Sequence, residues 1–215
     1  MVVGREGTFP RTINKRIAEV LAYLNNGAAG FLANGDLLNI TASAIAPVVD
    51  SNGIFTRLST GTTGRLDGDL QYNRQREPAF HCRFKLSSII SSQVFIGLTD
   101  QSGLTMISGA LPSGNYAGIH LPSGSSTWRF VHGNGGAGTS NTQNSADTSI
   151  HDFYLWMKKS GGDNKVIMQL DQNDRFEATS NIPTTSALMR LSCGIRGIAV
   201  TRSLDIAKVT VIQEV

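Results

Sequence analysis

The run Phe80-His-Cys-Arg-Phe-Lys-Leu86 alternates apolar and polar side chains without a break. A period of two is the pattern of a strand with one face buried and one face wet, and a helix cannot bury it. Runs of the same kind recur over 93–99, 116–121, 127–132, 151–158, 165–170, 175–179, 188–195 and 204–212, each short and closed by Gly, Pro, Asn or Ser. No helical period fills the gaps between them. That combination predicts an all-β fold, an antiparallel sandwich or jelly roll, from residue 51 to 215. Chains of 215 residues fold as a single sandwich of this kind.

One stretch inside this pattern imitates a different fold. Phe130-Val-His-Gly-Asn-Gly-Gly-Ala-Gly138 places Gly133, Gly135 and Gly138 in the spacing G-x-G-x-x-G after a strand, with Asp152 where a ribose-binding acid would stand. That fingerprint needs a helix next, because the pyrophosphate sits on its N-terminus. The next ten residues, Thr139-Ser-Asn-Thr-Gln-Asn-Ser-Ala-Asp-Thr148, offer almost no apolar face and favour turns. The stretch is therefore read as a hairpin loop and not as a dinucleotide site.

The first fifty residues differ from the rest. Ile13, Ile17, Val20, Leu21 and Leu24 recur at helical spacing, Thr12 stands as an N-cap, and Asn25-Asn26-Gly27 closes the segment, which predicts one short amphipathic helix. A helix of about a dozen residues is marginal alone in water. Its stripe must therefore cover the main domain or copies of itself. Residues 27–50 are small and apolar with little charge, which suits an arm packed along a partner. Residues 1–50 are thus expected as an anchoring or oligomerising arm and 51–215 as the sandwich.

Composition excludes several classes. Charged residues are 16% of the chain, against about a quarter in ordinary soluble proteins, and the net charge of +3 is scattered without a basic run. Nucleic acid is not the expected partner. No segment approaches eighteen apolar residues, and the opening MVVGREGTFPRTINKR is charged where a signal peptide is apolar, so neither membrane nor secretion is expected. Cys82 and Cys193 lack any C-x-x-C partner. Cys82 reads as a buried thiol, with a long-range disulfide to Cys193 as the other reading.

Lys165-Val-Ile-Met-Gln-Leu-Asp-Gln-Asn-Asp-Arg-Phe-Glu-Ala-Thr-Ser-Asn-Ile-Pro183 resembles the hairpin of concanavalin A-like lectin and glucanase jelly rolls. It is also similar, more closely, to a type of bacteriophage virion protein built on that fold. Phe80–Leu86, Val94-Phe-Ile-Gly-Leu-Thr-Asp100, Ser126-Thr-Trp-Arg-Phe130 and Arg202-Ser-Leu-Asp-Ile-Ala-Lys-Val-Thr-Val211 are similar to successive strands of such proteins. Asp36-Leu-Leu-Asn-Ile-Thr41, Ile45-Ala-Pro-Val-Val-Asp-Ser-Asn-Gly53, Leu58-Ser-Thr and Gly68-Asp-Leu70 resemble their entry segment. The resemblance covers roughly residues 36–213 and implies architecture, since such a fold hosts unrelated functions.

A glycosidase would need two carboxyl groups about the scissile bond. Glu occurs only at 6, 19, 77, 177 and 214, and the E-x-D-x-x-E motif of the glucanases is absent. Asp67 and Asp69 alternate beside glycines and read as loop acids, so no enzyme is expected. His81, His120, His132 and His151 show no ligand spacing and read as outward strand residues. No cofactor is expected; calcium, which lectins of this fold hold with loop oxygens, would fall to Asp100, Asp147, Asp152, Asp171 and Asp174. A sugar platform would fall to Trp128, Trp156, Tyr116 and Tyr154, where the Trp128/Phe130 and Tyr154/Trp156 pairs each share one strand face that is either core or groove.

The resemblance implies a structural protein on the surface of a tailed-phage virion, assembled in the host cytoplasm. A capsid decoration role is expected, with the major capsid protein or other virion proteins as partners and a homotrimer as the favoured assembly. A carbohydrate-binding or receptor-binding module of the tail, with a host surface glycan as ligand, is the second expectation. A polysaccharide hydrolase is the third.

Overall fold

The computed structural model describes residues 15–21, 29–31, 37–41, 44–51, 53–159, 164–172 and 175–214. The strands begin with β1 (Lys15–Leu21), β2 (Ala29–Phe31), β3 (Leu37–Thr41), β4 (Ala44–Asp50), β5 (Gly53–Ser59) and β6 (Thr63–Asp67). They continue with β7 (Ala79–Leu86), β8 (Ser92–Thr99), β9 (Asn115–Leu121), β10 (Thr127–Asn134) and β11 (Thr139–Ser145). The last five are β12 (His151–Lys158), β13 (Lys165–Leu170), β14 (Arg175–Ala178), β15 (Arg190–Gly197) and β16 (Ser203–Glu214). One helical turn, α1 (Gly103–Met106), interrupts them, and a short 3-10 turn spans Arg74–Arg76.

The antiparallel sandwich expected from the alternation is what forms. The first sheet runs β14-β13-β12-β7-β16-β5-β4, with β1 beside β16, and the second runs β11-β10-β9-β8-β15-β6-β3-β2. Between them the inward rows meet in one core that includes Phe80, Phe84, Trp128, Phe130 and Phe153. Phe84 meets Trp128 edge-on at 5.6 Å, and Phe153 lies 5.9 Å from Phe80 and 6.1 Å from Phe130. Each such side chain gains about 1.5–3 kcal/mol on leaving water, and edge contacts add to that.

Residues 15–21 correct the expected helix. Ile17, Val20 and Leu21 belong to strand β1, paired with the end of β16 from Lys15 opposite Glu214 to Leu21 opposite Lys208; Ile13 and Leu24 lie outside the described residues. The cause is the unequal length of the partners. β5 pairs with β16 only from Ser203 to Ile206, which leaves the edge of 208–214 without a ladder. An open edge of that length must find donors and acceptors, and a short helix would supply none. Residues 44–50 likewise pair along the whole of β5, from Ala44 opposite Ser59 to Asp50 opposite Gly53, so the expected boundary at 50/51 falls in a hairpin turn.

The polar run 139–145 is a correction of the same kind. It forms strand β11 on β10, largely exposed, instead of an open loop. It holds no charge and no proline, and a register shift where it passes Thr127 to Arg129 distorts its free edge. Such irregularities protect edges from adding further strands.

A second, smaller cluster lies on the outside of the second sheet, under the β8–β9 connection. Phe95, Met106, Ile107, Tyr116 and Val131 are buried there, with Leu111 packed against them. Ser102 caps α1 through Thr105 N–H, 3.2 Å away, and the buried Asp67 holds the turn by accepting from Gly103 N–H at 3.3 Å and Ser192 Oγ at 2.8 Å. The glycines of the misleading fingerprint serve this cluster. A Cβ on Gly133 would lie 2.7 Å from the Gly114 carbonyl and 3.1 Å from the Tyr116 ring, and one on Gly138 would overlap the Tyr116 hydroxyl. Gly135, with φ of 103°, makes the turn. The spacing makes room for a tyrosine where a dinucleotide fold would place a phosphate.

Gly138→Ala is therefore expected to lower stability by about 1–3 kcal/mol through overpacking, several degrees of Tm for a chain of this size. Gly136→Ala, with no contact for its Cβ closer than 3.7 Å, should stay within about 0.5 kcal/mol. Thermal melts of the two variants check this.

Candidate functional site

Strand β12 reads His151-Asp-Phe-Tyr-Leu-Trp-Met-Lys158, and Phe153, Leu155 and Met157 enter the core. The other parity, Asp152, Tyr154 and Trp156, must then face outward, and all three are partly exposed. On neighbouring β7 the outward row contributes Ala79, His81 and Arg83, with His81 opposite Tyr154 and Arg83 opposite Asp152. On the other side β13 sets Gln169 opposite Tyr154 and Ile167 opposite Trp156.

These residues form a row of stacked rings. The His81 and Tyr154 rings lie 4.5 Å apart at 4°, and the Tyr154 and Trp156 rings 5.6 Å apart at 8°. Trp156 stands between Ala79 and Ile167, which are only 1% and 4% exposed although they belong to the outer face. Polar groups frame the row. Asp152 Oδ1 is 2.8 Å from His81 Nε2, and its Oδ2 is 3.5 Å from the Arg83 guanidinium. Glu177 on β14, opposite Ile167, accepts from Arg175 at 2.5 Å and Lys165 at 3.1 Å.

The row is fixed from below. Asp171, in a left-handed turn with φ of 57°, accepts from Asp152 N–H at 2.8 Å and from His151 Nδ1 at 2.9 Å. His151 Nε2 lies 3.3 Å from Asp147, near enough for charge attraction but not aligned for a hydrogen bond. Burial lowers the His151 pKa, yet the Asp171 and Asp147 carboxylates outweigh it and raise it above the ordinary value. For Asp152 burial works upward, and His81 with Arg83 overcomes it, so the carboxyl stays below its usual range.

The aromatic candidates separate cleanly. Trp128 is in the core and Tyr116 is buried under the β8–β9 connection, while Tyr154 and Trp156 line the outer face. The histidines do not all face outward as expected. His132 and His151 share the inward parity of their strands, where a paired imidazole fits between aromatic rings: His132 Nδ1 meets the Asn181 carbonyl at 3.0 Å and its ring lies on Phe176. The loop acids have protein partners. Asp100 accepts from Asn115 N–H and Nδ2 at 3.0 and 2.9 Å, and Asp147 from Ser149 N–H at 2.6 Å, while Asp174 lies outside the described residues. Asp67 is buried and Asp69 exposed, so these two do not form one site. Burial raises the Asp67 pKa, partly offset by Ser192.

No family model and no curated protein sequence matches the chain. Solved structures do. A protein of unknown function from Shewanella oneidensis MR-1 superposes with a TM-score of 0.65 at 13% identity, over 97% of this chain and 90% of that one. The carbohydrate recognition domain of Emp47p gives 0.61 at 13%, over 92% and 96%. The β-glucanase of Bacillus licheniformis gives 0.51 at 11%, over 96% and 94%. At these identities the likeness defines the fold: a concanavalin A-like jelly roll of the lectin and glucanase type.

His120 provides a pH test of the outer second sheet. It is buried, its Nε2 has no hydrogen-bond partner among the described residues, and burial with the neighbouring Arg129 charge lowers its pKa from 6.5 to about 4. The unfolded chain binds that proton first, so stability is complete above pH 6.5 and is lost as pH falls toward 4, by about 3 kcal/mol. Urea unfolding at pH 7 and pH 4 should show this loss in the wild type and a smaller one in His120→Gln. Equal losses would contradict it.

Proposed function

We propose that this chain is a non-enzymatic surface protein of a virus particle that binds carbohydrate through the outer face of its first sheet. The observation that carries the reading is the partly exposed row His81–Tyr154–Trp156 with Asp152 and Arg83 beside it. Aromatic faces take the apolar side of a ligand and a few fixed polar groups orient it. A sugar ring presents both, C–H faces and hydroxyls. The rings are already stacked and the carboxylate already paired, so little ordering remains to be done on binding. Emp47p is compatible with this ligand class, since its fragment is by name a carbohydrate recognition domain.

A binding role is favoured over hydrolysis because both carboxyls beside the row, Asp152 and Glu177, are shifted below their usual range. A glycosidase acid must be kept protonated by a raised pKa, and Asp152 is shifted the other way. The place on a virion rests on the similarity of the entry segment and successive strands to phage surface proteins. Virion proteins and a host glycan are then the partners, and a homo-oligomer, a trimer in the first instance, is the form.

A capsid decoration role is the second reading. It is supported by Val49 and Ile54, register partners at the tip of the β4–β5 hairpin, which are 74% and 44% exposed. An apolar cross-strand pair held in water is suited to docking against a shell protein.

A glycan array probed with wild type and Trp156→Ala tests the first reading. Hits should appear for the wild type and weaken about tenfold or more in the variant, with the far-UV dichroism unchanged. Hits that survive the substitution would place binding elsewhere, and an array without hits would leave the decoration role alone.

A further inference from the structure

Cys82 and Cys193 are 111 positions apart in the chain, yet they occupy comparable places in the two sheets. Cys82 is on β7, between β12 and β16 in the middle of the first sheet; Cys193 is on β15, between β8 and β6 in the second. Both side chains point inward, both are fully buried, and both belong to the one core cluster that joins the sheets. Cys82 lies between Val209 and Phe153 in the register, and Cys193 between Leu66 and Ile96. Both are free thiols in the structure. Their side chains meet across the core, within hydrogen-bond reach of each other. Burial, and after it the contact with Cys193, pushes the Cys82 thiol well above its ordinary pKa.

We propose that Cys82 and Cys193 are an inter-sheet disulfide site, closed when the chain folds in the presence of an oxidised thiol such as glutathione disulfide. Each thiol loses its proton and together they give up two electrons. The new bond is S–S between the two residues, and the glutathione disulfide is reduced to two glutathione thiols. Exchange starts from a thiolate that reaches the oxidant. Both thiols are fully buried, out of the oxidant's reach, and burial also raises the Cys82 pKa, so the sandwich, once closed, is inert. The redox state is therefore set during folding. A chain folded in a reducing cytoplasm keeps two thiols, and one folded in an oxidising medium carries a cross-link between the centres of its two sheets.

The test uses the full chain, unfolded in denaturant and refolded with reduced and oxidised glutathione or with reductant alone. In the oxidised refolding the intact mass should fall by two hydrogens, and no thiol should titrate in denaturant. The Tm should rise by about 5–15 °C, as expected for closing a long loop. Folded, reduced protein given the same oxidant for the same time should keep both thiols. Cys193→Ala, refolded with oxidant, should show neither the mass loss nor the Tm rise. Two titratable thiols, or glutathione adducts in place of the cross-link, would overturn the proposal. So would a cross-linked product that melts below the reduced protein.

Discussion

The burial of two facing rows of side chains governs the rest of this molecule. Phe84 meets Trp128 and Phe153 meets Phe130 across the two sheets, with Phe80 against Phe153 within the first, and these ring contacts tie the inner faces together. A slip of one residue in β7, β10 or β12 would turn its apolar row to water. The inner faces therefore decide the outer ones. On β12, Phe153, Leu155 and Met157 take the core, and Tyr154 and Trp156 are left to the surface.

The outer faces are used in two different ways. On the second sheet, the β8–β9 connection folds down and buries Phe95 and Tyr116, with Asp67 anchoring its helical turn. On the first sheet the aromatic row stays open, and its polar neighbours are paired with one another. Asp171 joins the two levels, since it holds the backbone of Asp152 and the ring of the inward His151 at once. The outer face that carries the aromatic row is thus built by the same strands that build the core.

Much of the sandwich is legible in the alternation, because a period of two survives wherever one face is buried. The failures have particular causes. Lys15-Arg-Ile-Ala-Glu-Val-Leu21 fits a helical stripe as well as a strand, and what decides is the unpaired end of β16, nearly two hundred residues away. The β8–β9 connection reads as loop because the buried Met106 and Ile107 and the half-buried Leu111 keep to no period; they cover a sheet from outside. Of the four aromatic candidates, Tyr154 and Trp156 reach the outer face and the other two are buried. The distinguishing signal is present on β12, where the all-apolar parity of Phe153, Leu155 and Met157 outcompetes the mixed parity of Asp152, Tyr154 and Trp156. His81 and Arg83 could not be added from sequence, since their approach to Asp152 depends on which strands become neighbours.

The most direct measurement exploits the two tryptophans, of which Trp128 is sealed in the core and Trp156 lies on the proposed face. Acrylamide quenching of the intrinsic fluorescence should reach one class of emitter in the free protein. Saturating oligosaccharide should protect that class, and Trp156→Phe should remove it. Protection with the indole at 156 absent, or unchanged quenching while oligosaccharide is demonstrably bound, would contradict the assignment of the first sheet's outer face as the carbohydrate site.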